Sequence, residues 1–166
     1  MPKNLLSLIV FFTLTLMSSA VEILPGHKAQ LILRVLENTN LSSQTIRIAV
    51  CPSPDGSTNK LIKHLRKEPK LQINGQTVSI LVGIYDKESK AGVDVVILAD
   101  SSQPVVPGVL CIAFDERQVE QGATVGIAAI KDHVSLFLNP SSAKKLGIRF
   151  DVGMVRVARL KGGNGS

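Results

Sequence analysis

Aromatic residues are scarce in this chain of 166: it has no Trp, one Tyr and five Phe, and two of those, Phe11 and Phe12, lie in the first twenty residues. A surface that grips nucleic acid by stacking on bases is thereby excluded, since every base needs an aromatic or guanidinium platform. Cysteine is nearly as sparse. Cys51 and Cys111 are the only two, so stability must come from a packed core and not from a disulfide framework. Each lies in a predicted buried strand, and sequence leaves open whether their Cα atoms fall within the roughly 7 Å that a bridge requires. The three histidines, His27, His64 and His133, stand far apart with no second ligand at zinc-like spacing. Gly-x-Gly-x-x-Gly, Walker and Gly-x-Ser-x-Gly patterns are missing, as are internal repeats and low-complexity tracts. The expectation is a protein that is no enzyme, with no cofactor and no metal.

Charge of one sign is in excess: 19 Lys and Arg face 13 Asp and Glu. Such a balance favours acidic partners or anionic headgroups. The basic residues gather tightly in one place, Lys60–Lys70 (KLIKHLRKEPK), where Leu61, Ile62 and Leu65 keep helical spacing among Lys60, Lys63, Arg66 and Lys67. This predicts an amphipathic surface helix with a solvated basic face.

At the N-terminus, Lys3 precedes the apolar run Leu5–Met17, and Ser18-Ser19-Ala20 puts small residues where a signal peptidase needs them. The reading is a secretory signal peptide over residues 1–20, cleaved after Ala20, which delivers an exported, soluble protein. Residues 21–160 are then one domain of ordinary size, and 161–166 a flexible tail.

Periodicity alternates along that domain. His27–Glu37 carries Ala29, Leu31, Ile32, Val35 and Leu36 on one helical stripe. Thr45–Cys51 is a strand, and Ser57 or Thr58 is expected to cap the Lys60 helix. Thr77–Val82, Val93–Leu98 and Val109–Phe114 read as further strands, the second apolar enough to be covered on both faces. Gly83–Ala91 reads as a polar connection with a turn of helix. Ala123–Ile130 and His133–Leu138 form a hairpin. Asn139 caps a short helix that begins at Pro140 and is closed by Gly147. An apolar segment, Ile148–Leu160, ends the domain. The fold class that follows is α/β: a single-domain sandwich with a mixed β-sheet flanked by helices.

The closing stretch carries a family likeness in Gly122, Thr124-Val125-Gly126, Val134, Phe137, Asn139, Ala143-Lys144-Lys145, Gly147-Ile148 and Val157-Ala158-Arg159. Earlier in the chain, Lys28-Ala29, Asn74-Gly75-Gln76 and Asp94–Leu98 occupy corresponding places. With these residues at these spacings the chain resembles the YfiR-like family of bacterial periplasmic proteins over roughly residues 27–160. It departs from that pattern at Asn38–Ser43, where the family often has aromatics and Trp-Pro. The resemblance implies a regulator that binds and represses the periplasmic sensory part of an inner-membrane signalling protein, a diguanylate cyclase or a kinase, and so restrains cyclic-di-GMP synthesis. It implies an outer-membrane protein that relieves repression; a homodimer stays open, and no nucleic-acid partner is expected.

The alternative is a periplasmic small-ligand binding or sensory module. Its candidate site is the loop after the first strand, with Ser53, Asp55, Gly56 and Ser57, which leads into a helix N-terminus and is expected to favour a small anion or polar ligand. A hydrolase would need distant groups such as Ser53, His64 and Asp115 to converge. Asp115-Glu116, after a strand's end, reads as a solvated pair beside Arg117.

Overall fold

The central parallel strands of this protein send alternate side chains to the two faces of the sheet, and that alternation organises the molecule. A computed structural model describes residues 22–67, 71–83, 92–131 and 133–162. The elements run α1 (Pro25–Glu37), β1 (Thr45–Cys51), α2 (Ser57–Leu65), β2 (Gln72–Ile73), β3 (Gln76–Val82), β4 (Val95–Leu98), β5 (Leu110–Ala113), α3 (Glu116–Glu120), β6 (Val125–Ile130), β7 (His133–Leu138), α4 (Pro140–Leu146), α5 (Val152–Val157) and β8 (Arg159–Leu160). The predicted signal segment and the polar connection's residues 84–91 lie outside the described residues.

The strands make one sheet in the order β2-β3-β1-β4-β5-β6-β7-β8. From β3 through β6 the neighbours are parallel, β2 and β7 join antiparallel, and β8 runs parallel to β7. The mixed α/β sandwich read from the sequence is therefore the fold. In the parallel part the chain steps from β1 outward to β3, then returns past β1 to β4, β5 and β6. This is the order of doubly wound flavodoxin-like sheets, with the direction reversing between β1 and β4.

Register sets the two faces. Ile48, Val95 and Leu110 stand in one row, and Val50, Ile97, Ile112 and Val125 lie along the next, all buried with Ile32 and Leu36 of α1, Leu61 and Leu65 of α2 and Met154 of α5. Burying a side chain of this size contributes about 1.5–3 kcal/mol. The intervening positions, Ala49, Cys51, Val96, Leu98, Cys111 and Ala113, face the other way and are closed over by Val105, Val106 and Val109 of the β4–β5 connection. That second face is built from smaller residues, and a loop and one short helix suffice to cover it.

α3 docks on this second face at Gly126, which is level with Ala113 on β5 and Phe137 on β7. A Cβ on Gly126 would stand 2.3 Å from Val119 Cγ2 and 3.3 Å from Phe137 Cβ. Glycine is required there by the close approach of helix to strand.

Cys51 and Cys111 belong to β1 and β5, with β4 between them. Two strand spacings, roughly 9.5 Å, separate their backbones, beyond the reach of a bridge, and no disulfide joins them. Burial pushes the Cys111 thiol up to about 12.

The C-terminal signals perform locally as read. Asn139 Oδ1 accepts from Ser142 N–H at 2.9 Å and Gly147 closes α4 at φ 67°. Asn139 also donates Nδ2–H to Val119 O at 2.9 Å, which fastens the hairpin to α3. The Ile148–Leu160 segment contains a further helix, α5, capped by Asp151, before the two-residue β8. Lys161, placed by the sequence in a flexible tail, is instead fixed: its N–H donates to Leu138 O at 2.8 Å and its ammonium pairs with Glu116 and Glu120. After α1, Thr39 bridges to Phe150.

Candidate functional site at the strand reversal

In open α/β sheets, a crevice opens beyond the strand C-termini where the winding direction reverses. Here that point lies between the ends of β1 and β4, and it unites the loop Pro52–Gly56 with the loop after Leu98. Pro54 presets the first corner of a turn closed by Gly56 N–H to Ser53 O at 3.1 Å. Gly56 sits at φ 72° as the residue before α2, so neither Ser57 nor Thr58 is the cap that the sequence led us to expect. The hydroxyl of Thr58 instead turns back to accept from Ser53 N–H at 2.6 Å.

The expected anion-favouring helix end is corrected by the geometry. Asp55 Oδ1 accepts both Ser53 Oγ–H at 2.6 Å and Ser57 N–H at 2.9 Å, so a carboxylate of the loop already occupies the first free amide of α2. Asp100, at the end of β4, brings a second: its Oδ2 lies 3.5 Å from Ser53 Oγ and its Oδ1 accepts Ser102 N–H at 2.7 Å. The Ser53 hydroxyl and then Ser57 hold the Asp55 carboxyl down to about 2. Ser102, through side chain and backbone, also lowers Asp100. Both are ionised at neutral pH, and the loop pair presents two negative charges around one serine. Such a place suits a protonated amine or a polar hydroxyl compound, not an anion.

The two loops are tied together from below. Gln103 donates Nε2–H to Pro52 O at 2.7 Å, while its Oε1 accepts Asp100 N–H at 3.2 Å. Gln118 of α3, only 1% exposed, donates Nε2–H to Asp100 O at 3.1 Å and to Gln103 O at 2.8 Å. Gln118 Oε1 is buried with no hydrogen-bond partner. The position of α3, and hence Gly126, sets the height of the Asp100 loop.

On the α1 side of the same crevice the space is nearly filled. Glu22, Pro25, Lys28, Ser57, Thr58, Ala99 and Phe114 surround about 10 Å³, and the Lys28 ammonium lies 4.8 Å over the Phe114 ring. That volume holds roughly one water. The accessible part of the reversal point is the Ser53–Asp55–Asp100 side.

Of the residues singled out from sequence, Ser53, Asp55, Gly56 and Ser57 form one turn leading into α2. Ser53, His64 and Asp115 are engaged in three separate places: Ser53 with Asp55, His64 against Gly26 of α1, and Asp115 as the cap of α3, accepting Arg117 N–H at 2.8 Å. Glu116, read as solvated, pairs with Lys161 at 2.5 Å. His133 opens β7 opposite Ile130. Among the described residues no group of three or more His, Cys, Asp or Glu is placed to hold a metal ion, and no helix is long and apolar enough to cross a membrane. Asp100, Gln103 and Gln118 were missed. An Asp-Ser-Ser run directly after an apolar strand is a turn signal, but only the strand order reveals that it faces Ser53.

The architecture defines a class, the single-domain α/β protein whose loops converge at a strand reversal. No family model and no curated protein matches the chain. Among solved structures it is similar to a conserved domain protein from Vibrio cholerae, at TM-score 0.52 and 14% identity, over 82% of this chain and 60% of that one. It is likewise similar to an ABC domain from Streptococcus pneumonia solved in complex with L-Trp, at TM-score 0.53 and 12% identity, over 83% of this chain and 60% of that one. The chain thus spans 60% of the length of these structures, and the likeness concerns the fold.

Proposed function

We propose that this protein is a non-enzymatic binding and sensory module whose ligand is a small molecule with a protonated amine, held at Ser53, Asp55 and Asp100. The observation that carries this reading is the pair of ionised carboxylates brought together at the strand reversal. The Streptococcus structure of similar fold is described with an amino acid, a compound of that chemistry. Asp100 has the less engaged carboxylate, with its Oδ2 at only a long contact from Ser53. It would take the ammonium, and Ser53 Oγ and the Asp55 rim would orient it. A melting-temperature screen of amino acids and primary amines against their N-acetyl forms tests this. A ligand at a hundred times its Kd adds about 2.7 kcal/mol, and Asp100→Asn should remove the shift. If no amine raises the melting point of the wild type, the reading fails.

The second reading, a repressor of an inner-membrane signalling protein with a periplasmic sensory part, is favoured by a separate observation. Val152, Val155, Val157 and Leu160, on α5 and β8, are 42–75% exposed, four apolar side chains within nine residues at the sheet's far edge. Exposed apolar surface of this kind suits a protein partner. A ligand at the reversal point would act on such a complex only by binding the free and bound states with different affinity. Pull-down from detergent-solubilised host membranes should recover a cyclase or kinase, and Val155→Asp with Val157→Asp should lose it. Recovery undiminished by those changes would remove this surface from the reading.

A further inference from the structure

The first turn of α1 and the outer side of α2 enclose a groove of about 1060 Å³, remote in role from the carboxylate loops. Its floor is apolar: Leu24, 64% exposed, with Pro25 and the largely buried Ile62. Gly26 lets the His64 ring lie against the α1 backbone, since a Cβ there would be 3.3 Å from the ring. Around that floor stand Lys60, Lys63, Arg66 and Lys67, and no Asp or Glu is among the described residues that line it. Arg66 is held by its bond to Ile80 O at 2.9 Å, whereas Lys60, Lys63 and Lys67 are exposed. An apolar floor inside a ring of cations is the surface of a helix pair that lies on a membrane: the alkyl part enters the acyl boundary and the ammonium groups meet phosphates.

We propose that this α1–α2 groove docks on an anionic phospholipid surface. Charge complementarity selects the occupant, and the chain's own order brings the two together. The apolar run Leu5–Met17 ends five residues before Glu22, a connection of at most roughly 17 Å when extended. Leu24 and the groove follow at once. With that run in a bilayer during export, the groove lies within headgroup reach, and its cations prolong contact with the surface.

The test uses the full chain and vesicles of phosphatidylglycerol mixed with phosphatidylcholine, against phosphatidylcholine alone, and compares variants in which the N-terminal run with Lys3 is unchanged, so that its contribution is the same in each. The quantity read is the ratio of the two affinities. Each Lys at an anionic surface changes binding roughly fivefold, so the wild-type ratio should be large and should fall with added salt. Lys60→Glu with Lys63→Glu and Lys67→Glu should abolish it. Lys144→Glu with Lys145→Glu and Arg156→Glu, which changes net charge equally elsewhere, should keep most of it. Lys63→Gln alone, with little risk to folding, should lower the ratio roughly fivefold. Equal affinity for both vesicle types, equal loss in both triple variants, or binding to polyglutamate without binding to vesicles would each overturn the proposal.

Discussion

Adding one methyl group at Gly126 should unseat α3 and disturb the Asp100 loop that α3 supports. The new Cβ would stand 2.3 Å from Val119 Cγ2, whereas carbon atoms rest at about 3.5–4.0 Å, so more than 1 Å must be absorbed. Val119 is fully buried on a helix, and a β-branched residue there has essentially one χ1 setting. The helix must therefore move. Overpacking of this kind costs about 1–3 kcal/mol, which for a domain of this size lowers the melting temperature by roughly 3–10 °C. Val119→Ala alone loses burial and leaves a void, at about 1–3 kcal/mol. In the double variant the new methyl occupies that void, so the two costs should fall short of their sum by at least about 0.5 kcal/mol. Urea or thermal unfolding of the four proteins measures the coupling. A Gly126→Ala protein as stable as wild type, or strict additivity, would refute the packing described for α3. Gln118 rides on the same helix, so loss of amine binding in Gly126→Ala, recovered in the double variant, would connect this contact to the site.

Asn139→Ala removes both the cap of α4 and the bond to Val119 O, and should cost about 2–3 kcal/mol, read as a lower urea midpoint at unchanged m-value. The Asp55 carboxyl is depressed to about 2 from an ordinary 3.8. Its contribution is therefore complete above pH 4 and is lost as pH falls through about 2, so Asp55→Asn should lower the melting temperature most at neutral pH, flatten the profile between those limits and match the wild type near pH 2. With its folded value raised to about 12, the Cys111 thiol stays protonated in the native protein. It should resist iodoacetamide at pH 8 until denaturant is added, and stability should decline as pH rises from about 9, where the unfolded thiol ionises, toward 12. Under mild oxidant the native chain should keep the mass of the dithiol form, because β4 separates the two cysteines.

What the sequence determined by itself is local. The 3.6-residue stripe of His27–Glu37, the strand patterns at Ile46–Cys51 and Val93–Leu98, and the Asn139-Pro140…Gly147 signals each encode hydrogen bonding and burial within a few neighbours. These were legible because the forces involved act along the chain. The loop Ser53–Ser57 was legible as a place where a strand turns into a helix. Its chemistry was not. Asp55 closes on the α2 amide only because Pro54 and Gly56 fold the turn back. Asp100, 45 residues further on, joins it only because β4 inserts beside β1 instead of beside β3. Strand order also decided that Cys51 and Cys111 stay apart, that Gly126 must be bare for Val119, and that Lys161 is held by Glu116 and Glu120 in place of trailing as a tail. Each of these is a contact between segments far apart in sequence, fixed by how the two faces of the sheet share out bulky and small side chains. A pattern of residues can say which face is apolar, but only packing decides which element covers it.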